Sequence, residues 1–445
     1  MAKKTLLQKQ TKQATMFGTH EFPSYEEIIE AYAKEFANYI LPKGDTIFGF
    51  WMQTLADLEF LDLELQGLTD EYTIDPVNRV VNFKGDGEFV RLRVAHLEKV
   101  KGKTTLYTDL VDKFGDTNAY AFHNLYPYKG KFYPRVVRTL INAFRLNHDS
   151  LILDPFNGSG TATHEASLMG IKSVGIDVTP MGIVLSELKN DLLFINEQKL
   201  NFTTKELQDI LQAIEDKKWK HSDSTIHKLM LAVYFDTIDA FVRTSRYNKK
   251  GKVGLFIEKL NYITSCYKKT MEIKDKYELK FERAKIIEGD ILELKNMSEM
   301  NERFDACITS PPYYFSIDYV GKDKIAYDYL GVDMKKIESK YLGMKNGKPK
   351  GNYSGLPTKV AMYYEDLKES IKNIYWALKP GGKLAIIIGD STVNGKKIPT
   401  TMTTKKFCEE TGFKFEKLIF NPLLGARNRA IRGESVIICH KPAGV

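Results

Sequence analysis

Cysteine is scarce in this chain of 445 residues: Cys266, Cys307, Cys408 and Cys439 stand alone, with no CxxC pair. Isolated cysteines read as reduced core thiols, not as a disulfide framework or a zinc site. The eight histidines form no HxH or HxxxH pair, so no metal site is expected. No apolar run approaches the ~20 residues that a membrane span requires. The start, MAKKTLLQKQTKQATMFG, is basic but has no apolar signal core. A cytoplasmic protein with no membrane partner is the expectation. No internal repeat or low-complexity block interrupts the chain, whose length allows two or three domains' worth of core.

What is present divides near residue 118. Before it, a basic arm with Lys3, Lys4, Lys9 and Lys12 leads into SYEEIIEAYAKEFANYIL, which reads as a helix capped by Ser24. Residues 46–110 are less regular, and KGDGEF predicts a hairpin turn. After it, FHNLYPYKGKFYPRVVRTLINAF reads as a loop feeding a helix, with Pro134 in the first turn. SLILD, PFNGSG, TATHEASLMG and KSVGID then follow as strand, loop, helix and strand, one βαβ unit with tight connections. Residues 196 to about 280 carry apolar side chains at helical spacing, too long a stretch for a simple connection.

The α/β pattern then resumes. AKIIEGD and FDACITS read as strands, and YYEDLKESIKNIYWALKPGG as a helix ending at Gly381 and Gly382. KLAIIIGDS is a strand, TKKFCEETGF a helix closed by Gly412, and KFEKLIF with ESVIICHK a final strand pair. The expected fold is α/β and Rossmann-like, with about seven strands. Its expected parts are an N-terminal extension (1–117), a catalytic domain in two pieces (118–195 and 283–445), and a helical insertion (196–282) between them.

Two stretches carry chemistry. In LILDPFNGSGT, Asp154 ends an apolar strand, and Gly158 and Gly160 let backbone amides approach a ligand ahead of a helix N-terminus. Asp177 and Asp290 end the next two strands, where one carboxylate can accept both hydroxyls of a ribose and the other can bond an adenine amino group. Each such acid serves equally well as a helix N-cap or a solvated strand end. In ITSPPYY, two prolines remove two donors and stiffen the exit from a strand. That presents Ser310, the Pro311 carbonyl and the ring of Tyr313 at the edge of the sheet. Those groups suit a flat, polar ring bearing an amino group; a packed tyrosine in a Pro-rich turn is the plainer alternative.

DPFNGSGT followed by TSPPY resembles the amino-methylating DNA methyltransferases, which modify N4 of cytosine or N6 of adenine. HNLYPYKGKFYPRVVRTLI and LKPGGKLAIIIGDS resemble supporting segments of the same family. The likeness covers about 118–195 and 283–441 and implies a class I methyltransferase fold. It also implies that Asp154, Pro155, Phe156, Gly158, Gly160, Thr161, Asp177 and Asp290 bind S-adenosylmethionine. Ser310, Pro311, Pro312 and Tyr313 would then receive a flipped-out base. Ser at the first motif position leans towards cytosine N4, with adenine N6 as the alternative. Methylation at carbon 5 needs a cysteine nucleophile, and the Pro-Cys pair it characteristically uses does not occur.

The basic residues fit double-stranded DNA. The net charge is +8, and MKKIESKYLGMKNGKPKGNYSGLPTK, within a basic loop over 314–362, has seven lysines against one acid. TSRYNKKGK and GARNRAIRG add Arg246, Arg427, Arg429 and Arg432. One such cluster is ordinarily a solvated face; three beside a base-binding motif point to phosphates. The leading expectation is the modification enzyme of a restriction–modification system, with any cognate restriction endonuclease a separate protein. An RNA base methyltransferase and a catalytically dead DNA-binding scaffold are the other readings.

Overall fold

A computed structural model describes residues 44–128, 130–243, 250–314, 323–344, 348–349, 351, 355–393, 396–422 and 433–444. The basic arm and the helix expected over 24–41 lie outside the described residues, as do Arg246, Arg427, Arg429 and Arg432.

The first unit is a small antiparallel sheet of β1 (Ile47–Phe48), β2 (Glu71–Asp75), β3 (Val80–Lys84), β4 (Leu97–Val100) and β5 (Lys103–Thr104), in the order β2-β3-β1-β4-β5. Helices α1 (Leu55–Leu68), α2 (Gly87–Arg93) and α3 (Leu106–Phe114) accompany it. The hairpin turn is not at KGDGEF. It lies between β2 and β3, where the Asp75 carboxylate accepts from the amides of Val77 and Asn78 and Arg79 takes φ 57°. Asp86 of KGDGEF instead caps α2, accepting from the amides of Glu88 and Phe89 at 2.8 and 3.2 Å. An Asp ahead of free amides serves as a helix cap as readily as a turn residue.

The main unit runs through α4 (Pro134–Ala143), β6 (Leu151–Asp154), α5 (Thr161–Leu168), β7 (Lys172–Asp177) and α6 (Pro180–Leu192). Three helices follow, α7 (Thr204–Glu215), α8 (Ser224–Arg243) and α9 (Gly251–Lys276), then β8 (Ala284–Glu288) and β9 (Phe304–Thr309). Short helices α10 (Lys324–Leu330) and α11 (Met334–Glu338) lead to α12 (Thr358–Ala377) and β10 (Leu378–Ile388). A two-stranded hairpin, β11 (Ser391–Val393) and β12 (Lys396–Ile398), precedes α13 (Thr400–Thr411), β13 (Lys414–Pro422) and β14 (Gly433–His440).

Seven of these strands form one sheet in the order β13-β14-β10-β9-β6-β7-β8. Only β14 runs against its neighbours; the pairings from β10 to β8 are parallel. The chain is therefore α/β and Rossmann-like, as its strand and helix alternation implied. The strands read as apolar runs because both faces are covered. Side chains alternate between two cores: Ile152, Ala306, Ile308, Ala385 and Ile387 pack with α4 and α5. Leu153, Cys307, Leu384, Ile386 and Ile388 face α12 and α13. LKPGG, expected to close a helix, opens β10 instead. Its turn is taken up by an irregularity between Leu378 and Lys383 in the pairing with β9, with Gly381 at φ 79°.

The helices of 196–282 do not stand apart. Lys228 of α8 binds Glu187 and Asp191 of α6, and Tyr277, just past α9, donates to Asp109 of α3 at 2.6 Å. One apolar cluster runs from Leu61 and Leu97 in the first unit, through Leu185 and Leu188, to Leu211, Met230 and Phe256. Buried Glu64 of α1 ties the first unit to α4, accepting from Ala95 N, the His96 ring and Asn142 Nδ2. Among the described residues, no helix is long and apolar enough to cross a membrane.

Candidate active site

In a parallel sheet the carboxyl ends of the strands open onto ligands, and here β6, β7, β8 and β9 converge there. The loop after β6 is held from below: Asn157 N donates to Ile176 O at 3.0 Å, and Gly160 N to Asn157 O at 2.7 Å. Gly158 and Gly160 sit at φ 49° and 77°, a region costly for residues with a Cβ. A Cβ on Gly160 would also lie 2.7 Å from the Ser186 Cβ on α6. Asp177, at the end of β7, accepts from Gly158 N at 2.6 Å through one oxygen. The other takes Thr179 N at 2.8 Å and Thr179 Oγ1 at 2.5 Å. Burial pushes its pKa up against these hydrogen bonds.

A cavity lies over this edge. Pro155, Phe156 and Gly158 wall it from the loop, Asp177 and Thr179 from β7, Asp290 and Ile291 from beyond β8, and Ser310 and Pro312 from beyond β9. Tyr128, Lys340, Tyr341 and Leu342 also line it. Two stretches far apart in the chain are thus brought onto one space. Asp290 lines the cavity and also caps the turn at 291–296, accepting from Leu292 N at 2.9 Å.

Asp154, Gly160, Thr161, Pro311 and Tyr313 are not on the cavity wall. Asp154 lies fully buried beneath it, taking Thr309 Oγ1 at 2.6 Å and Phe156 N at 3.2 Å. Its other oxygen has no partner among the described residues, and burial pushes its pKa up to about 7. Thr161 is the buried first residue of α5, and Gly160 caps that helix without a side chain.

β9 is buried at Phe304 and from Ala306 to Thr309, and Ser310 is the half-buried residue where the strand meets the cavity. The Tyr363 hydroxyl on α12 donates to the Pro312 carbonyl at 3.0 Å, and the Tyr314 ring lies 5.5 Å from that of Tyr363. Tyr313 is 7% exposed, and its hydroxyl donates to Glu434 Oε1 at 2.8 Å. Cys307 is fully buried, and burial raises its thiol pKa well above the ordinary value, so it is packing, not a nucleophile. Sequence reasoning missed Thr179, Tyr363 and Glu434. Tyr128 lies within the segment LYPYKGK already singled out, but nothing in the sequence marked it individually.

These residues fit S-adenosylmethionine. Asp177 stands on the cavity wall, where its carboxylate can accept from a ribose hydroxyl. Gly158 leaves its backbone bare on the wall, with the Tyr128 ring only 3.2 Å from where a Cβ would stand. Phe156 and Ile291 offer apolar surface, and Asp290 an acceptor, for a heteroaromatic ring.

Sequence comparison with known proteins points to methyltransferases. A family profile described as DNA methylase matches residues 4–183, and one described as RMKL-like, methyltransferase domain, matches 125–344. The type II methyltransferase M.BsoBI of Geobacillus stearothermophilus is 24% identical over 80% of this chain and 92% of its own length. M.MjaII of Methanocaldococcus jannaschii, also a type II methyltransferase, is 30% identical over 43% of this chain and 32% of its own. An S-adenosylmethionine-dependent methyltransferase structure from Methanosarcina mazei matches at 11% identity over 68% of this chain and 98% of its own, with a TM-score of 0.32. With the glycine loop, the Ser-Pro-Pro-Tyr turn and the strand order on one scaffold, the chain belongs to the amino-methylating DNA methyltransferases, S-adenosylmethionine-dependent enzymes acting at cytosine N4 or adenine N6.

Proposed function

We propose that this enzyme methylates N4 of cytosine in double-stranded DNA as the modification half of a restriction–modification system. The supporting observation is that Ser310 and Pro312 share one cavity with Asp177 and Asp290. A base amine held by the motif would therefore stand beside the ligand held by the strand-end acids. Serine at the first motif position favours cytosine, and similarity to two type II methyltransferases favours the restriction–modification setting.

In this reading Asp177 takes the ribose hydroxyls, Asp290 the adenine amino group, and the backbone of Phe156 to Gly160 the rest of the cofactor. Bound S-adenosylmethionine supplies an electrophilic methyl group on its sulfonium. An exocyclic amine is a weak nucleophile because its lone pair is delocalised into the ring. Hydrogen bonds from its protons to Ser310 Oγ and the Pro311 carbonyl draw the nitrogen towards sp³ geometry and aim the lone pair. The two prolines hold those acceptors still, and orientation of this kind lowers a barrier by several kcal/mol, on the order of 7–11 at best. We assign the ring of Tyr313, buried beside the cavity and not on its wall, as the face on which the base stacks. The base must leave the helix stack to reach it, at a cost of about a few kcal/mol.

The stretch 314–362 supplies Lys340, Tyr341 and Leu342 to the cavity wall, with Lys335 and Lys336 on α11 just before them. We assign its lysines to phosphates beside the slot. The first unit and the helices of 196–282, which share a core, are assigned to target recognition. A cytoplasmic location follows from a DNA substrate.

Nucleoside mass spectrometry on DNA from cells expressing the protein, against cells lacking it, tests the reading. New N4-methylcytosine is expected. New N6-methyladenine would overturn the choice of base, and a mark found only in RNA would overturn the substrate.

A further inference from the structure

Glu434 is the second residue of β14, opposite Asn421 of β13. Its Oε1 accepts the hydroxyl of Tyr313, 121 residues away in the chain. β10 lies between β14 and β9, so this bond spans the end of a strand and ties the motif to the far side of the sheet. Burial pushes the Glu434 carboxyl up in pKa, while the Tyr313 hydroxyl opposes that shift. The same carboxylate acts on Tyr133, whose own pKa is raised by burial and then by Glu434. Tyr133 and Asn421 belong to a second cleft, together with Gln53, Asn118 and Arg135. Glu434 therefore stands between that cleft and the motif.

The prolines fix the backbone of the turn, and Tyr363 holds the Pro312 carbonyl. What they leave undetermined is the rotation of the Tyr313 side chain. The hydrogen bond to Glu434 fixes the end of the ring furthest from the backbone.

We propose that Glu434 is a positioning residue for methyl transfer: it acts through Tyr313, holding the ring at the orientation the target base requires, and touches neither base nor cofactor. The proposal rests on reading residues 310–313 as the base slot and extends that reading.

A double-mutant cycle tests it, with genomic DNA from a methylation-deficient host and tritiated S-adenosylmethionine as probes. Glu434→Ala and Tyr313→Phe are each expected to lower kcat by about tenfold, leaving cofactor affinity unchanged. The double variant is expected to be no worse than either single one. Glu434→Gln, which keeps an acceptor oxygen, is expected to retain most of the activity. Multiplying losses, a Glu434→Gln variant as poor as Glu434→Ala, or a parallel fall in cofactor affinity would each overturn the proposal. Tyr313→Ala separates the two levels. Full activity there would sink the base slot itself, whereas its loss beside an unaffected Glu434→Ala would remove only the role of Glu434.

Discussion

On the cofactor side of the site, the shaping contacts are local: Asp177 holds Gly158 across 19 residues, within one βαβ unit. On the base side they are distant: Tyr363 reaches Pro312 across 51 residues, and Glu434 reaches Tyr313 across 121. The first half is built from backbone amides and a carboxylate, the second from tyrosine hydroxyls. Asp154 joins them, since its carboxyl takes both Phe156 N of the glycine loop and Thr309 Oγ1 at the end of β9. The glycine loop and Asp177 thus belong to one supersecondary unit, while Asp290, beyond β8, and the base half depend on the completed sheet.

Substitutions can break or sharpen this contrast. The largest effect is expected at Tyr313→Ala: loss of base stacking worth about 1–3 kcal/mol, up to roughly a hundredfold in turnover, with cofactor affinity kept. Asp177→Ala should do the reverse, weakening cofactor binding by about 10–100-fold in calorimetry, as expected for charged hydrogen bonds worth about 1.5–3 kcal/mol. It should also lower the melting temperature, because Gly158 and Thr179 lose their acceptor. Gly160→Ala should destabilise the fold by about 1–2 kcal/mol from its positive φ, with the 2.7 Å approach to Ser186 adding to that, read by thermal unfolding.

The smallest effect concerns the joint between the halves. Asp154 has a folded pKa of about 7 against an ordinary 3.8. A carboxyl raised in this way contributes stability that is full below pH 3.8 and lost as pH rises through about 7. A side-chain amide in its place cannot ionise. The melting temperature of Asp154→Asn relative to the unsubstituted protein should therefore shift in the variant's favour between about pH 5 and pH 8. A pH-independent difference would mean that Asp154 is not held protonated.

The same contrast explains what was legible. The parallel strands could be read because burial on both faces leaves apolar runs bounded by turn residues, as in LILD before Pro155 and AIII before Gly389. The two motifs were legible because their chemistry is contiguous. The first unit was not, because its strands run from two to five residues, too short for a period to register. KGDGEF and LKPGG misled for one reason: Asp-Gly and Pro-Gly mark a change of direction but not which element follows. A strand-end acid such as Asp154 can face a ligand or the next strand, and the bond from Thr309 Oγ1 on β9 comes from packing that the sequence does not display. Glu434 carried no signal at all, since its partner lies across the sheet.

The central claim is that Ser310 serves the base and not the cofactor, although both meet in one cavity. The most direct measurement takes one preparation of Ser310→Ala and reads both S-adenosylmethionine affinity by calorimetry and methyl incorporation into unmethylated genomic DNA. Unchanged affinity with methyl transfer reduced by about tenfold is the predicted result. Equal losses of both, or normal methyl transfer, would contradict it.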